Sequence, residues 1–226
     1  MKRHQLAVLD FFKGLKPGRL LDAGSGGDAL GRILKERGFD VFSLDLYARP
    51  YLKDRFVRAD MNEKLPFVDR AFDYVLCSES LQYMENHAGL FREFRRVLKK
   101  GGSAIVSIPN LLNVNSRLYF LHRGYYPSFK PVRTMDAGKE WDSIAYNPIS
   151  FVEIFELAKR NDFELRSINA SKTKSSNFPL YLFLKALYSL GLLFERHAEK
   201  AEFLRRLSSR EVLLGDHLII HIGLRA

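Results

Sequence analysis

The chain has 226 residues, 46% of them hydrophobic, which is enough to bury one substantial core and predicts a single globular domain over 1–226 rather than a disordered segment. Its one cysteine, Cys77, excludes an internal disulfide framework and a thiolate zinc cluster, fits a reducing compartment, and leaves no metal site expected. The net charge of +10 suits an anionic partner, but the cations are scattered from Lys2 to Arg225 and no nucleic-acid-binding module accompanies them.

The first eighteen residues, "MKRHQLAVLDFFKGLKPG", interrupt their apolar positions with charges and lead to no small-residue cleavage site, so a cytoplasmic protein is expected. Strand and helix signals then alternate. "RLLDA" reads as a strand, and "DALGRILKERG" as a helix with Leu30, Ile33 and Leu34 on one face and Gly38 as its stop. "DVFSLDL", "RFVRAD" and "FDYVLCSES" read as the second, third and fourth strands. "HAGLFREFRRVLKKGG" reads as a helix with Leu90, Phe91, Phe94, Val97 and Leu98 inward, and "SAIVSIP" as the fifth strand.

From Asn110 to Pro148 regular periodicity is lost, apart from one short helix at "NSRLYFLHRG". An irregular connection of that length inside a compact domain is usually a lid or binding loop, so 111–148 is expected to be a lid or site-bordering insertion. "PISFVEIFELAKRN" is a helix with Phe151, Ile154, Phe155 and Ala158 inward, and "FELRSINAS" and "DHLIIHIGLRA" are the last strands. Between those two strands, 176–210 form an apolar and basic helical insertion. Phe183, Leu187, Leu190 and Phe194 share one helical face there, which fits core packing, a substrate lid or dimer surface, or peripheral membrane contact through 178–206. The order predicts an α/β, Rossmann-like doubly wound sheet of seven strands, mostly parallel, with an antiparallel C-terminal hairpin strand.

"LLDAGSGGD", residues 20–28, carries the ligand signal. Gly24, Gly26 and Ala29 fit the G-x-G-x-x-G/A spacing, and Asp45 stands near the distance of a ribose-binding acid. The glycines allow a tight turn and close approach of a ligand, and do not choose among dinucleotides, mononucleotides and sulfonium cofactors. The choice comes from Asp22, Asp45, Asp60 and Glu79, which fall at four successive strand ends. Acids converging on one crevice fit hydroxyl, amine and sulfonium groups better than a pyrophosphate. A nicotinamide-dependent oxidoreductase is the weaker reading.

With "VFSLDL", "RADMNEKLPFVDRAFDYVLCSESLQYMEN" and "FRRVLKKGGSAIVSIPN", that loop resembles the class I S-adenosylmethionine-dependent methyltransferases over residues 18 to 110. The resemblance implies S-adenosyl-L-methionine as cofactor. It implies that Asp22, Gly24, Ser25 and Gly26 shape the loop under its methionine part, and that backbone near Gly24 and Ser78 takes the ammonium. Asp45 would accept the ribose hydroxyls, Leu46 cover adenine, Asp60 receive the adenine amino group, and Met61 serve the adjacent ring nitrogen. Asp28 stands where the family commonly has a third glycine, and is expected to cap the following helix.

Methyl transfer demands alignment and exclusion of water, and a hydroxyl acceptor also gains from a base. Glu79, Tyr83 and His87 are the candidates near the methyl, with His122 and Tyr146 reaching in from the irregular segment; Tyr83 stands where related enzymes often have His. A softer resemblance to small bacterial methyltransferases of polysaccharide and lipid-linked sugar biosynthesis implies that Asn110, Asn113, Arg117, Arg123 and Tyr125 line the acceptor site. The expected acceptor is a small-molecule hydroxyl, on a sugar or lipid-linked substrate. RNA methylation and a non-catalytic cofactor-binding scaffold are the alternatives.

Overall fold

A computed structural model describes residues 1–47, 55–130, 145–173 and 177–225. Strands β1 (Arg19–Ala23), β2 (Asp40–Asp45), β3 (Phe56–Arg58), β4 (Phe72–Ser78) and β5 (Leu98–Pro109) run parallel, while β7 (His217–Leu224) is antiparallel to both β5 and β6 (Phe163–Ala170). They form one sheet in the order β3-β2-β1-β4-β5-β7-β6, as the alternating pattern predicts. The direction of winding reverses at β1 and β4, so the crevice outside their C-terminal ends is where such a sheet takes a ligand.

The two-residue period of the strands divides the core into two layers. Leu20, Val41, Leu76, Ile105 and Ile219 meet Val8, Leu9 and Phe12 of α1 (Arg3–Phe12) and Leu30 and Leu34 of α2 (Ala29–Glu36). Their neighbours Leu21, Val75, Cys77, Ala104, Val106, Ile220 and Ile222 point the other way, onto α3 (His87–Val97) and α5 (Phe151–Arg160). Burial on both faces is what makes these strands continuous apolar runs. Phe151, Ile154 and Ala158 are buried as expected.

The structure departs from the expectation in three places. The first is α1, which the broken apolar pattern of the N-terminus concealed. Second, the helix expected to run to Gly102 stops at Val97: Leu98 pairs with Phe72 as the first residue of β5, and an irregularity between Phe72 and Tyr74 absorbs the step. Third, the helical insertion expected over 176–210 divides into three helices and runs on to Leu214: α6 (Phe178–Phe194), α7 (Ala198–Leu207) and α8 (Arg210–Leu214). Of the three readings of the α6 face formed by Phe183, Leu187, Leu190 and Phe194, core packing is removed, because these residues are 48–82% exposed. Tyr181, Leu184 and Tyr188 pack instead, against Leu213, Leu214 and Val114 of α4 (Val114–Arg123). Residues 131–144 of the expected acceptor loop lie outside the described residues. Among the described residues, no helix is long and apolar enough to cross a membrane.

Candidate functional site

The loop after β1 is built from backbone hydrogen bonds to its neighbour strand. The amides of Gly24 and Ser25 both donate to the Leu44 carbonyl, at 2.8 and 3.0 Å. The Gly26 amide donates to Asp45 Oδ2 at 2.7 Å, and Asp45 Oδ1 accepts from the Tyr47 amide at 3.0 Å. Gly24 needs to be glycine twice over: its φ is +81°, and a Cβ there would collide with the Ser80 hydroxyl. Ser80, which the sequence reading passed over, joins the two ends of the crevice. Its Oγ lies 3.1 Å from the Gly24 carbonyl and 3.2 Å from the Ser78 carbonyl, and one hydroxyl proton serves only one of them at a time.

Three carboxylates crowd beneath the loop. Asp22 is 2% exposed, and its Oδ2 has no hydrogen-bond partner. Burial first, then the neighbouring Asp28 and Asp45, push the Asp22 carboxyl up to about 7. Asp28 occupies the N-cap position of α2 with φ +54°, but its side chain does not cap the helix. Its Oδ1 instead accepts from Ser43 Oγ at 2.9 Å, drawing the carboxylate down toward the sheet. Gly31, also unanticipated, makes room: a Cβ there would strike Asp28 Oδ1 and stand 3.3 Å from Asp22 Oδ2. The Ser25 hydroxyl is a second buried polar group without a partner.

At the adjoining strand end, the Ala59 amide donates to the Asp45 carbonyl at 3.1 Å, which sets Asp60 one residue beyond. Asp60 Oδ1 accepts from the Asn62 amide at 2.8 Å, and Met61 is buried. Asn62 Oδ1 in turn accepts from the Glu85 and Asn86 amides, tying this loop to the segment after β4. Leu46, at the tip of β2, is 36% exposed.

Glu79 follows β4 in a left-handed conformation, φ +57°, with its side chain 17% exposed. Burial pushes its carboxyl up to about 7 against the opposing pull of hydrogen bonds from Ser107 and Gln82. Its Oε2 lies 3.6 Å from Nε2 of His217, and the His217 ring is 5.0 Å from the ring of His4. The sequence reading named neither histidine. His217 arrives because β7 starts opposite Pro109, at the C-terminal end of β5, and His4 because α1 covers this side of the sheet. Tyr83 closes the short 3-10 turn Leu81–Tyr83 and is partly buried.

Several expected acceptor residues hold the scaffold. His87 is 6% exposed, with Nδ1 2.7 Å from Glu153 Oε1 and Nε2 2.9 Å from the Leu81 carbonyl, so both nitrogens are engaged. Asn110 donates to the Val212 and Gly215 carbonyls, and Asn113 caps α4 by accepting from the Ser116 amide. Arg117 donates to the Leu112 carbonyl at 2.7 Å and to Tyr188 Oη at 3.0 Å. These groups lock the corner between β5, α4 and α6. His122 and Arg123 are exposed in the last turn of α4, and Tyr125 is in contact with Tyr119. Tyr146 is 49% exposed, and its amide donates to the Gln82 carbonyl. A cleft of about 530 Å³ bordered by Arg70, Arg92, Arg95, Lys100, Asp162 and Arg225 lies at the opposite end of the strands, by the start of β5 and the end of β7, away from the strand ends that carry the acids.

Residues 21–106 match the family model described as "Methyltransferase domain". The match covers less than half of the chain, and over that segment the chain is similar to this family. Among curated relatives, it is 28% identical over 123 residues to the ubiquinone biosynthesis O-methyltransferase of Aliivibrio fischeri, covering 50% of this chain and 52% of that one. The chain therefore spans about half the length of the curated relatives it matches. Among solved structures, an S-adenosylmethionine-dependent methyltransferase from Mesorhizobium loti superposes with a TM-score of 0.59 at 15% identity, covering 98% of each chain. The 1,6-didemethyltoxoflavin-N1-methyltransferase of Burkholderia thailandensis gives 0.57 at 15% identity, over 99% of this chain and 78% of that one. At such identities the structural likeness speaks for the fold. The matched segment runs from within β1 to within β5 and includes all four strand-end acids; His4, His217 and the α4–α8 region lie outside it.

Proposed function

We propose that the chain is an S-adenosylmethionine-dependent methyltransferase that modifies a hydroxyl of a small-molecule acceptor, on a sugar or a lipid-linked substrate. The observation that carries this reading is the glycine loop ringed by acids at four strand ends, with Asp22 Oδ2 and Ser25 Oγ buried and unpartnered beneath it. Such groups cost free energy unless a ligand completes them. The cofactor supplies an electrophilic methyl group on a sulfonium. Asp45 is proposed to hold the ribose: it ends β2 beside the glycine loop, its carboxylate accepts the Gly26 and Tyr47 amides, and two carboxylate oxygens suit two hydroxyl donors. The Gly24 and Ser78 carbonyls, sharing one Ser80 hydroxyl, have acceptor capacity left for an ammonium. Asp60, Met61 and Leu46 are proposed to frame the adenine.

Glu79 is proposed as the ionisable group that meets the acceptor, and Tyr83 as its neighbour on the wall. His87 is proposed as a brace, since both its nitrogens are engaged. Two observations favour a lipid-linked acceptor. The relatives include an O-methyltransferase of ubiquinone biosynthesis, and Leu121, Leu193 and Phe194 are 77–83% exposed on α4 and α6. Residues 114–130 and 178–194 contain Arg117, Arg123, Lys130 and Lys185 and no Asp or Glu, a composition suited to an anionic lipid surface.

The test is transfer of a labelled methyl group to polyprenyl-linked sugars in phosphatidylglycerol vesicles, alongside the same sugars free and bulk RNA. Label in the lipid fraction is expected. Label on RNA would replace this reading with RNA methylation, and cofactor binding without transfer to any acceptor would favour a scaffold.

A further inference from the structure

We propose that His4, Glu79 and His217 form a binding site for one divalent transition-metal cation at the acceptor end of the crevice. The three residues come from three separate elements: the first turn of α1, the residue after β4, and the first residue of β7. One ligand atom from each, two imidazole nitrogens and a carboxylate oxygen, lie within 4.8 Å of one another. Ligand atoms on a tetrahedral zinc ion stand roughly 3.3–3.5 Å apart, given metal–ligand bonds of about 2.0–2.1 Å. Glu79 Oε2 and His217 Nε2, at 3.6 Å, stand just outside that spacing. Closing the remaining gap requires a side-chain rotation of His4, whose ring faces His217 at 5.0 Å with a 34° tilt.

The supporting groups hold the donors in place. Ser107 Oγ donates to Glu79 Oε1 at 3.2 Å, which leaves Oε2 toward His217. The His217 carbonyl accepts from the Ser171 amide, and the strand is paired on both sides, so the histidine is carried by a rigid central element. Orientation of first-contact ligands by such partners is the usual construction of a metal centre. The left-handed φ of Glu79 is a local backbone cost, and it delivers the carboxylate to this point.

Two nitrogens and one carboxylate suit zinc, iron, cobalt, nickel or manganese; calcium and magnesium prefer all-oxygen shells. Three protein donors also leave a coordination position open, as catalytic rather than structural zinc sites do. A hydroxyl oxygen bound there would become more acidic, its proton passing to solvent. That use of the metal rests on the methyltransferase reading; metal binding itself does not.

The experiment titrates Co²⁺ into the chelator-treated whole chain and follows its visible ligand-field absorption. One Co²⁺ per chain is expected, displaced by Zn²⁺, with binding at least tenfold weaker in His4→Ala, His217→Ala and Glu79→Gln. His4→Ala alters only an outer helical turn, so it reports even where the other variants fail to fold. Absence of saturable Co²⁺ binding, or binding unchanged by His4→Ala, would overturn the metal site. S-adenosylhomocysteine calorimetry on the same samples separates the readings: binding of that compound without cobalt removes the metal alone, and cobalt without it removes the cofactor reading alone.

Discussion

Replacing Asp22 by Asn tests the buried carboxylate cluster directly. Asp22 is 2% exposed, lies beside Asp28 and Asp45, and has a carboxyl raised from 3.8 to about 7. Between those two values the folded chain holds a proton that the unfolded chain has released, so stability falls as pH rises through this window and levels off above about 7. A rise of roughly three pKa units corresponds to at most about 4 kcal/mol, and relaxation of the buried site reduces that to roughly 2–4 kcal/mol. Asn is nearly the same size, carries no charge, and offers an NH₂ donor to the adjacent carboxylates. Asp22→Asn is therefore expected to match the wild type in stability near pH 4 and to exceed it by roughly 2–4 kcal/mol at pH 8. Chemical denaturation at pH 4, 5, 6, 7 and 8, with the difference plotted against pH, is the assay. A difference that stays flat across that range, or has the opposite sign, would refute the proposed ionisation of Asp22.

The same carboxyl predicts that S-adenosylhomocysteine, whose ammonium favours an ionised neighbour, binds more tightly as pH rises toward about 7, by up to about tenfold per unit; calorimetry across pH 5.5–8 at constant salt checks this. Gly24→Ala combines a left-handed backbone with a collision at Ser80, and is expected to cost about 2–4 kcal/mol in denaturant titrations and to abolish cofactor binding. Cys77 is fully buried and burial pushes its thiol up, so a thiol reagent should modify it only at the rate of unfolding; fast labelling of the native chain would contradict that placement.

The sheet was readable because its strands alternate between two cores. Leu20 and Leu21, or Val75 and Leu76, look alike in sequence yet serve opposite faces, and such doubly buried runs signal parallel strands. The acids were readable for the related reason that each ends a strand. Features decided by distant contacts were not. Leu98 continues the helical spacing of Leu90, Phe91 and Phe94, and only its pairing with Phe72 makes it strand. In α6 both faces are apolar, so periodicity could not tell Tyr181, Leu184 and Tyr188 from the exposed Phe183, Leu187, Leu190 and Phe194. Asp28 has the residue type and position of a helix cap, and the Ser43 hydroxyl on the neighbouring strand β2 redirects it. His217 and Glu79 meet through the antiparallel return of β7, which no local pattern encodes; a histidine opening the last strand was the available signal.

The central claim is that the crevice at the ends of β1, β2, β3 and β4 holds an S-adenosylmethionine-type cofactor, with Asp45 on its ribose. Calorimetric titration of S-adenosylhomocysteine into the wild type and into Asp45→Ala is the most direct measurement. One molecule per chain at micromolar affinity is predicted for the wild type, with a loss of at least about tenfold in the variant, the value of one charge-assisted hydrogen bond or more. No binding to the folded wild type, or equal affinity in a folded Asp45→Ala, would contradict the account.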